Sequence, residues 1–134
     1  LSGRYAQEYR KIAVHTASPV DLIVMLYDGA LRFIELGRAA LERGDHFEKN
    51  ERLQRAQRIV TELMSCLDMA RGGEVAQNLF ALYSYVYNLL VESNIRDEVG
   101  KLEEAKRILA ELRESWAEIA RGERTQGEVE NAAA

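Results

Sequence analysis

The sequence predicts an all-α fold, an antiparallel up-down-up-down four-helix bundle, and three observations carry the prediction. The 134 residues contain a single Pro while 30% are charged, which suits long solvated helices rather than a turn-rich domain. Glycine or polar breaks at 44, 72–73 and 94–100 divide the chain into four stretches of 20 or more residues. Inside those stretches apolar residues recur at alternating spacings of three and four, the pattern of a helix seam.

The first helix opens at Ser18-Pro19-Val20-Asp21. Ser18 can cap, Pro19 suits a first helical position where no N–H is missed, and Asp21 favours the positive helix end. The helix runs to about Arg43 and stops at Gly44. Asp45, with Glu48 three places on, restarts the chain at once as the cap of a second helix that continues to about Arg71 and ends at Gly72-Gly73. The third covers roughly Glu74 to Ile95, and the fourth runs from Glu98 or Lys101 to Arg121 and stops at Gly122. Short connections between long helices make the antiparallel bundle the simplest topology.

Helix 4 places Leu102, Ala105, Leu109, Leu112, Trp116 and Ile119 on one seam, and helix 2 does the same with Leu53, Ala56, Val60, Leu63 and Leu67. The far side of helix 2 pairs Glu48 with Arg52 and Glu51 with Arg55 at i,i+4, a solvated face. Helices 1 and 3 differ. LIVMLYDGALRFIEL (22–36) interrupts its apolar and small residues only with Asp28, Arg32 and Glu35, and LFALYSYVYNLLV (79–91) only with Ser84 and Asn88. A helix packed on one side needs an apolar stripe about 100° wide, so both helices carry apolar surface beyond what one bundle interior absorbs. Such a surplus marks an interaction surface.

The flanks divide off from this core. Residues 1–17 read as a mobile segment in which Tyr5, Tyr9 and Ile12 recur at i, i+4, i+7 with Val14 beyond, a lid that is stable only when docked. Residues 18–121 form the bundle, and 122–134 read as a disordered tail.

Residue chemistry argues against an enzyme. His15 and His46 have no metal-ligand spacing, the carboxylates are scattered on wet faces, and no phosphate loop is present, so no catalytic residue, metal or cofactor is expected. Cys66 stands alone and reads as a small buried hydrophobe in a reducing compartment. The net charge of −4 splits into +1 on residues 1–67 and −5 on residues 68–134, which argues against nucleic acid as a main partner. The longest apolar run, 22–27, is far short of a membrane span, and the start lacks a signal-peptide core, so the expected location is cytoplasmic.

One further pattern is more specific. TASPVDLIVMLYDGALRFI, then Ala56-Gln57-x-Ile59, Glu62-Leu63-Met64-Ser65, Leu67-Asp68, Gly72-Gly73-Glu74, Asn78-Leu79, Leu82-Tyr83 and Glu92-Ser93-Asn94, resembles the flagellin-specific export chaperones of the FliS family. The resemblance covers about residues 5–120, with Ser93 standing where the family pattern suggests Ala. It implies a cytoplasmic four-helix bundle that binds the disordered C-terminal segment of flagellin, prevents premature polymerisation and delivers it to the flagellar type III export gate. It carries client contact onto Tyr9, Leu26, Tyr27, Asp28, Gly29, Tyr83, Leu90 and Asn94, and the apolar surplus adds Tyr87 and Leu112. The competing readings are a bundle that buries its surplus in a homodimer and a regulator that binds another helical partner, such as an anti-sigma factor.

Overall fold

The computed structural model describes residues 19–133, and in it four helices follow one another: α1 Pro19–Glu42, α2 His46–Ser65, α3 Gly73–Arg96 and α4 Val99–Ala133. Among the described residues there is no strand. The Ser18 cap and the Tyr5, Tyr9, Ile12 and Val14 lid positions lie outside the described residues.

Each connection closes through local chemistry. After α1, Gly44 adopts a left-handed φ of 76°, and Asp45 N–H reaches back to the Ala40 carbonyl at 2.9 Å. Asp45 then caps α2 by accepting from Glu48 N–H at 3.0 Å. Between α3 and α4 the left-handed residue is Asp97, and Ser93 Oγ donates to the Glu98 carbonyl at 2.8 Å. The hydroxyl that departs from the family pattern thus closes a turn.

Two element ends differ from expectation. α2 stops at Ser65, not near Arg71, because Ser65 Oγ takes the Glu62 carbonyl at 2.7 Å and Asp68 accepts from Arg71 N–H at 3.1 Å, which offers the backbone a turn in place of the helix ladder. Cys66 is consequently exposed rather than buried. At the other end, Gly122 does not stop α4: the segment 122–133, expected as a disordered tail, is helical. One interior Gly costs only about 1 kcal/mol, and the Glu, Arg, Gln and Ala around it are strong helix formers.

Antiparallel neighbours form a ring in which α1 and α3 each pack against both α2 and α4. The core contains Ile34 from α1, Leu53, Val60 and Leu63 from α2, Val86 and Leu90 from α3, and Leu102 and Leu109 from α4. Close approach of α1 and α2 is built on Gly37, where an added Cβ would lie 2.5 Å from Leu53 Cδ2. Across the diagonal, Tyr27 and Tyr83 meet with ring centroids 6.2 Å apart and hydroxyls 2.5 Å apart. At the end where α2 begins, buried Lys49 donates to the Asn94 carbonyl at 2.8 Å and pairs with Asp97, which satisfies the last turn of α3.

The helix 4 seam turns as it descends. Leu102, Ala105 and Leu109 are buried, Leu112 and Trp116 are half-buried, and Ile119 is 48% exposed while Ala117 and Ala120 take its place inside. A straight helix drifts by about 20° per heptad against a 3.5-residue repeat, so the lower end of the stripe rotates off the core toward α3.

Candidate functional site

The end of the bundle where α1 begins, α2 ends and α3 begins is open. A cavity of about 200 Å³ is lined there by Ile23 of α1, Leu63 at the end of α2, Leu67 after it, Ala76 and Leu79 of α3, and Trp116 of α4. Tyr83 lines it and hydrogen bonds to Tyr27 behind, and Cys66 and Asp68 add polar atoms to its wall. Burial raises the pKa of both tyrosines, foremost by removing the charged form from water, so the pair is held neutral.

Beyond that cavity the exposed faces of α3 and α4 are mixed in character. Tyr85 Oη donates to Glu104 Oε1 at 2.5 Å, and Lys101 pairs with Glu92 at 2.5 Å, which closes the upper part of the α3–α4 flank with polar contacts. Below them the residues change character. Leu82, one turn before Tyr85, is 38% exposed, Val75 68% and Ile119 48%. Leu112 and Trp116 of α4 pack half-buried against the core, and Trp116 also lines the cavity.

The opposite flank of α4 is closed. Lys106 pairs with Glu35 at 2.7 Å, Arg113 with Asp28 at 2.8 Å, Arg124 with Asp21 at 2.6 Å, and Arg38 of α1 with Glu103 at 3.0 Å. The partners on α1 recur every seven residues at 21, 28 and 35, which keeps them on one edge.

The residues expected at a client surface do not come together as one patch. Tyr27, Tyr83 and Leu90 are fully buried in the core. Asp28 is engaged by Arg113 on the α1–α4 seam, and Gly29 sits against Ile59 of α2, with 3.2 Å from an added Cβ to Ile59 Cδ1. Asn94 Nδ2 donates to Asn50 Oδ1 at 2.7 Å and ties α3 to α2. Leu26 and Leu112 are half-buried beside the core, Tyr87 is half-buried on the α2–α3 side, and of the set Tyr83 lines the end cavity. Tyr9 lies outside the described residues. Ile23 and Leu79, which line the cavity, and Leu82, exposed on α3, fall in the two stretches read as surplus apolar surface without being named singly, and Ile119, read as part of the helix 4 seam, is exposed.

Among the described residues no group of three or more His, Cys, Asp or Glu could hold a metal ion, and no helix is long and apolar enough to cross a membrane. The arrangement offers apolar binding surface.

Comparison with known proteins matches residues 2–123 to the family described as "Flagellar protein FliS". The chain is similar to the "Flagellar secretion chaperone FliS" of Salmonella typhimurium, 40% identical over 116 residues that cover 86% of each chain. The protein of the same description from Bacillus subtilis is 38% identical over 116 residues, 87% of this chain and 86% of that one. That from Vibrio cholerae is 34% identical over 117 residues, 84% and 86% of the two chains.

Proposed function

This chain belongs to the FliS family of flagellar secretion chaperones, and from that premise we propose that it binds the C-terminal segment of flagellin, keeps it from polymerising and delivers it to the flagellar export gate. Family membership implies a non-enzymatic role in flagellum biogenesis. The observation that carries the finer reading is the apolar end cavity, together with Val75, Leu82 and Ile119 left exposed on α3 and α4. A segment that is disordered alone and helical when assembled presents an amphipathic face, and an apolar groove takes such a face at i, i+3, i+4 and i+7. Leu112, Trp116 and Leu82 are the proposed contacts; Tyr27, Tyr83 and Leu90 support them from inside. The test is calorimetry with a peptide from the flagellin C terminus near physiological salt. Binding with a negative heat-capacity change and a gain of helix in the peptide is expected, and absence of binding overturns the reading.

The lid belongs to the same proposal. Pro19 opens α1 at the end of the bundle where Ile23 lines the cavity. Tyr5, Tyr9, Ile12 and Val14 would cover this surface in the free protein and leave it to the client. Free energy that docks the lid is subtracted from client affinity, so deleting residues 1–14 should tighten peptide binding and make the free protein more prone to self-associate. Hydrogen exchange at residues 5–14 checks it directly, with faster exchange expected once peptide is added; equal exchange in both states would reduce the segment to a tail.

A further inference from the structure

The hydrogen bond between Tyr27 and Tyr83 leaves one proton over. Two hydroxyls that meet use a single O–H between them, because an oxygen that receives a hydrogen from its neighbour cannot return its own along the same line. Tyr27 and Tyr83 are 0% and 1% exposed, and their oxygens lie 2.5 Å apart. Among the described residues neither hydroxyl has a further hydrogen bond to an acceptor. Trp116, which lines the same cavity, adds one more donor, since an indole N–H cannot accept. This end of the bundle therefore holds more buried donors than its own side chains answer.

The surroundings say where the spare hydrogen points. Tyr83 lines the end cavity and Tyr27 sits behind it, so only the arrangement in which Tyr27 donates and Tyr83 accepts gives the remaining O–H, that of Tyr83, an outlet. Beyond the burial that raises both pKa values, the contact acts upward on Tyr27 and downward on Tyr83, the sense of that same arrangement. We propose that the end cavity is a specificity pocket whose occupant, supplied by the client, is an uncharged group that presents one acceptor oxygen on an apolar body. The source of that group rests on the chaperone reading, and its chemistry rests on the cavity alone.

The other walls define the body of the group. Ile23, Leu67, Val75 and Leu79 offer only hydrocarbon. An apolar cavity of about 150 Å³ accepts a benzene molecule, and this one, at about 200 Å³, accepts a ring-sized group with a further atom or two. A carboxylate is disfavoured by desolvation and by Asp68 on the wall, and an ammonium group meets a donor where it needs an acceptor. A purely hydrocarbon side chain fills the space but leaves the Tyr83 hydrogen unanswered, an unfavourable state for a buried donor.

The probes are cyclohexanone and methylenecyclohexane, the same ring carrying an oxygen or a CH2 group at one position. Each is titrated into the full chain labelled with nitrogen-15 and read on the indole N–H of Trp116, the single tryptophan. The titrations are repeated in the full-length double variant Tyr5→Ser, Tyr9→Ser, which removes the anchors of the segment proposed to cover the cavity. The ketone should bind about tenfold tighter than the alkene, and flagellin peptide should displace it. Tyr27→Phe should keep the preference and Tyr83→Phe should abolish it. Circular dichroism verifies that each variant is folded; where Tyr83→Phe is not, the ratio of the two probes in the parent chain decides. Equal binding of the probes, tighter binding of the alkene, failure of both to bind either chain at millimolar concentration, a preference that survives in folded Tyr83→Phe, or retention of the ketone beside bound flagellin peptide overturns the proposal. Flagellin-peptide binding is measured in the same samples, so failure of the chaperone reading, seen as no peptide binding with the ketone preference intact, is distinguishable from failure of the pocket.

Discussion

The two flanks of α4 are built from opposite materials. Toward α1 it presents Lys106, Arg113 and Arg124, each paired with an acidic residue across the seam. Toward α3 its lower half presents Leu112, Trp116 and Ile119, and the last is left 48% exposed. The difference separates two tasks. Exposed ion pairs contribute only about 0 to 1 kcal/mol each, but like charges opposed across that seam would be unfavourable, so the row sets which helix lies beside α4 and in which direction. An apolar flank does not discriminate in that way and binds whatever covers it. The protein therefore defines its own packing with charge on one side and leaves the hydrophobic driving force available on the other.

The comparison breaks most visibly if the apolar flank is spoiled. Leu82→Glu combined with Ile119→Glu places two charges beside the cavity at positions that are partly solvated, so the fold should lose about 1 to 3 kcal/mol and circular dichroism verifies that it persists. Burial by a client of the share of these two side chains still exposed corresponds to about 1 to 3 kcal/mol, and flagellin-peptide affinity in calorimetry should fall by about tenfold or more. Unchanged affinity would move the client elsewhere.

A smaller effect is expected from the tyrosine pair beneath the cavity. Tyr83→Phe leaves the Tyr27 hydroxyl without its partner inside the core, a loss of about 1 to 3 kcal/mol in urea unfolding. The pH dependence has a definite sign. Burial raises both tyrosine pKa values, while an unfolded tyrosine releases its proton near pH 10. Stability should be fully present below about pH 10 and decline as pH rises above it, and Tyr83→Phe should make that decline shallower by removing one of the two groups.

The smallest effect belongs to the charged flank. Asp28→Asn removes the acceptor of the Arg113 pair, where both side chains are partly exposed, and should cost at most about 1 kcal/mol, a difference that shrinks in high salt. Client affinity should not change beyond about twofold. A large loss of peptide binding in Asp28→Asn would mean that the seam opens to the client, and the division of tasks between the two flanks would be wrong.

Much of this architecture is local and therefore readable from the chain. Asp45 with Glu48, Gly44 and the polar run 94–100 act on the backbone within a few residues, and the three–four spacing of Leu53, Ala56, Val60 and Leu63 states which side of α2 faces inward. Helix number, order and antiparallel topology follow from those signals, as does the excess of apolar surface in helices 1 and 3. The early end of α2 was legible too, in Ser65 and Asp68, whose side chains bond their own backbone. Where α4 ends was not: Gly122 is a weak breaker, and its neighbours favour the helix.

Which apolar residues remain outside was decided by the tertiary structure. Tyr27, Tyr83 and Leu90 have the composition of surface anchors, yet the diagonal contact between α1 and α3 encloses them, because two large rings with hydroxyls 2.5 Å apart share a hydrogen bond inside the core. Ile119 has the spacing of a core residue, yet the mismatch between a 3.5-residue repeat and a 3.6-residue helix turns it out beside α3. An apolar side chain records in the sequence only that it prefers cover. Whether its own bundle or another chain supplies that cover depends on the rotation of each helix about its axis, set by all four helices packing at once.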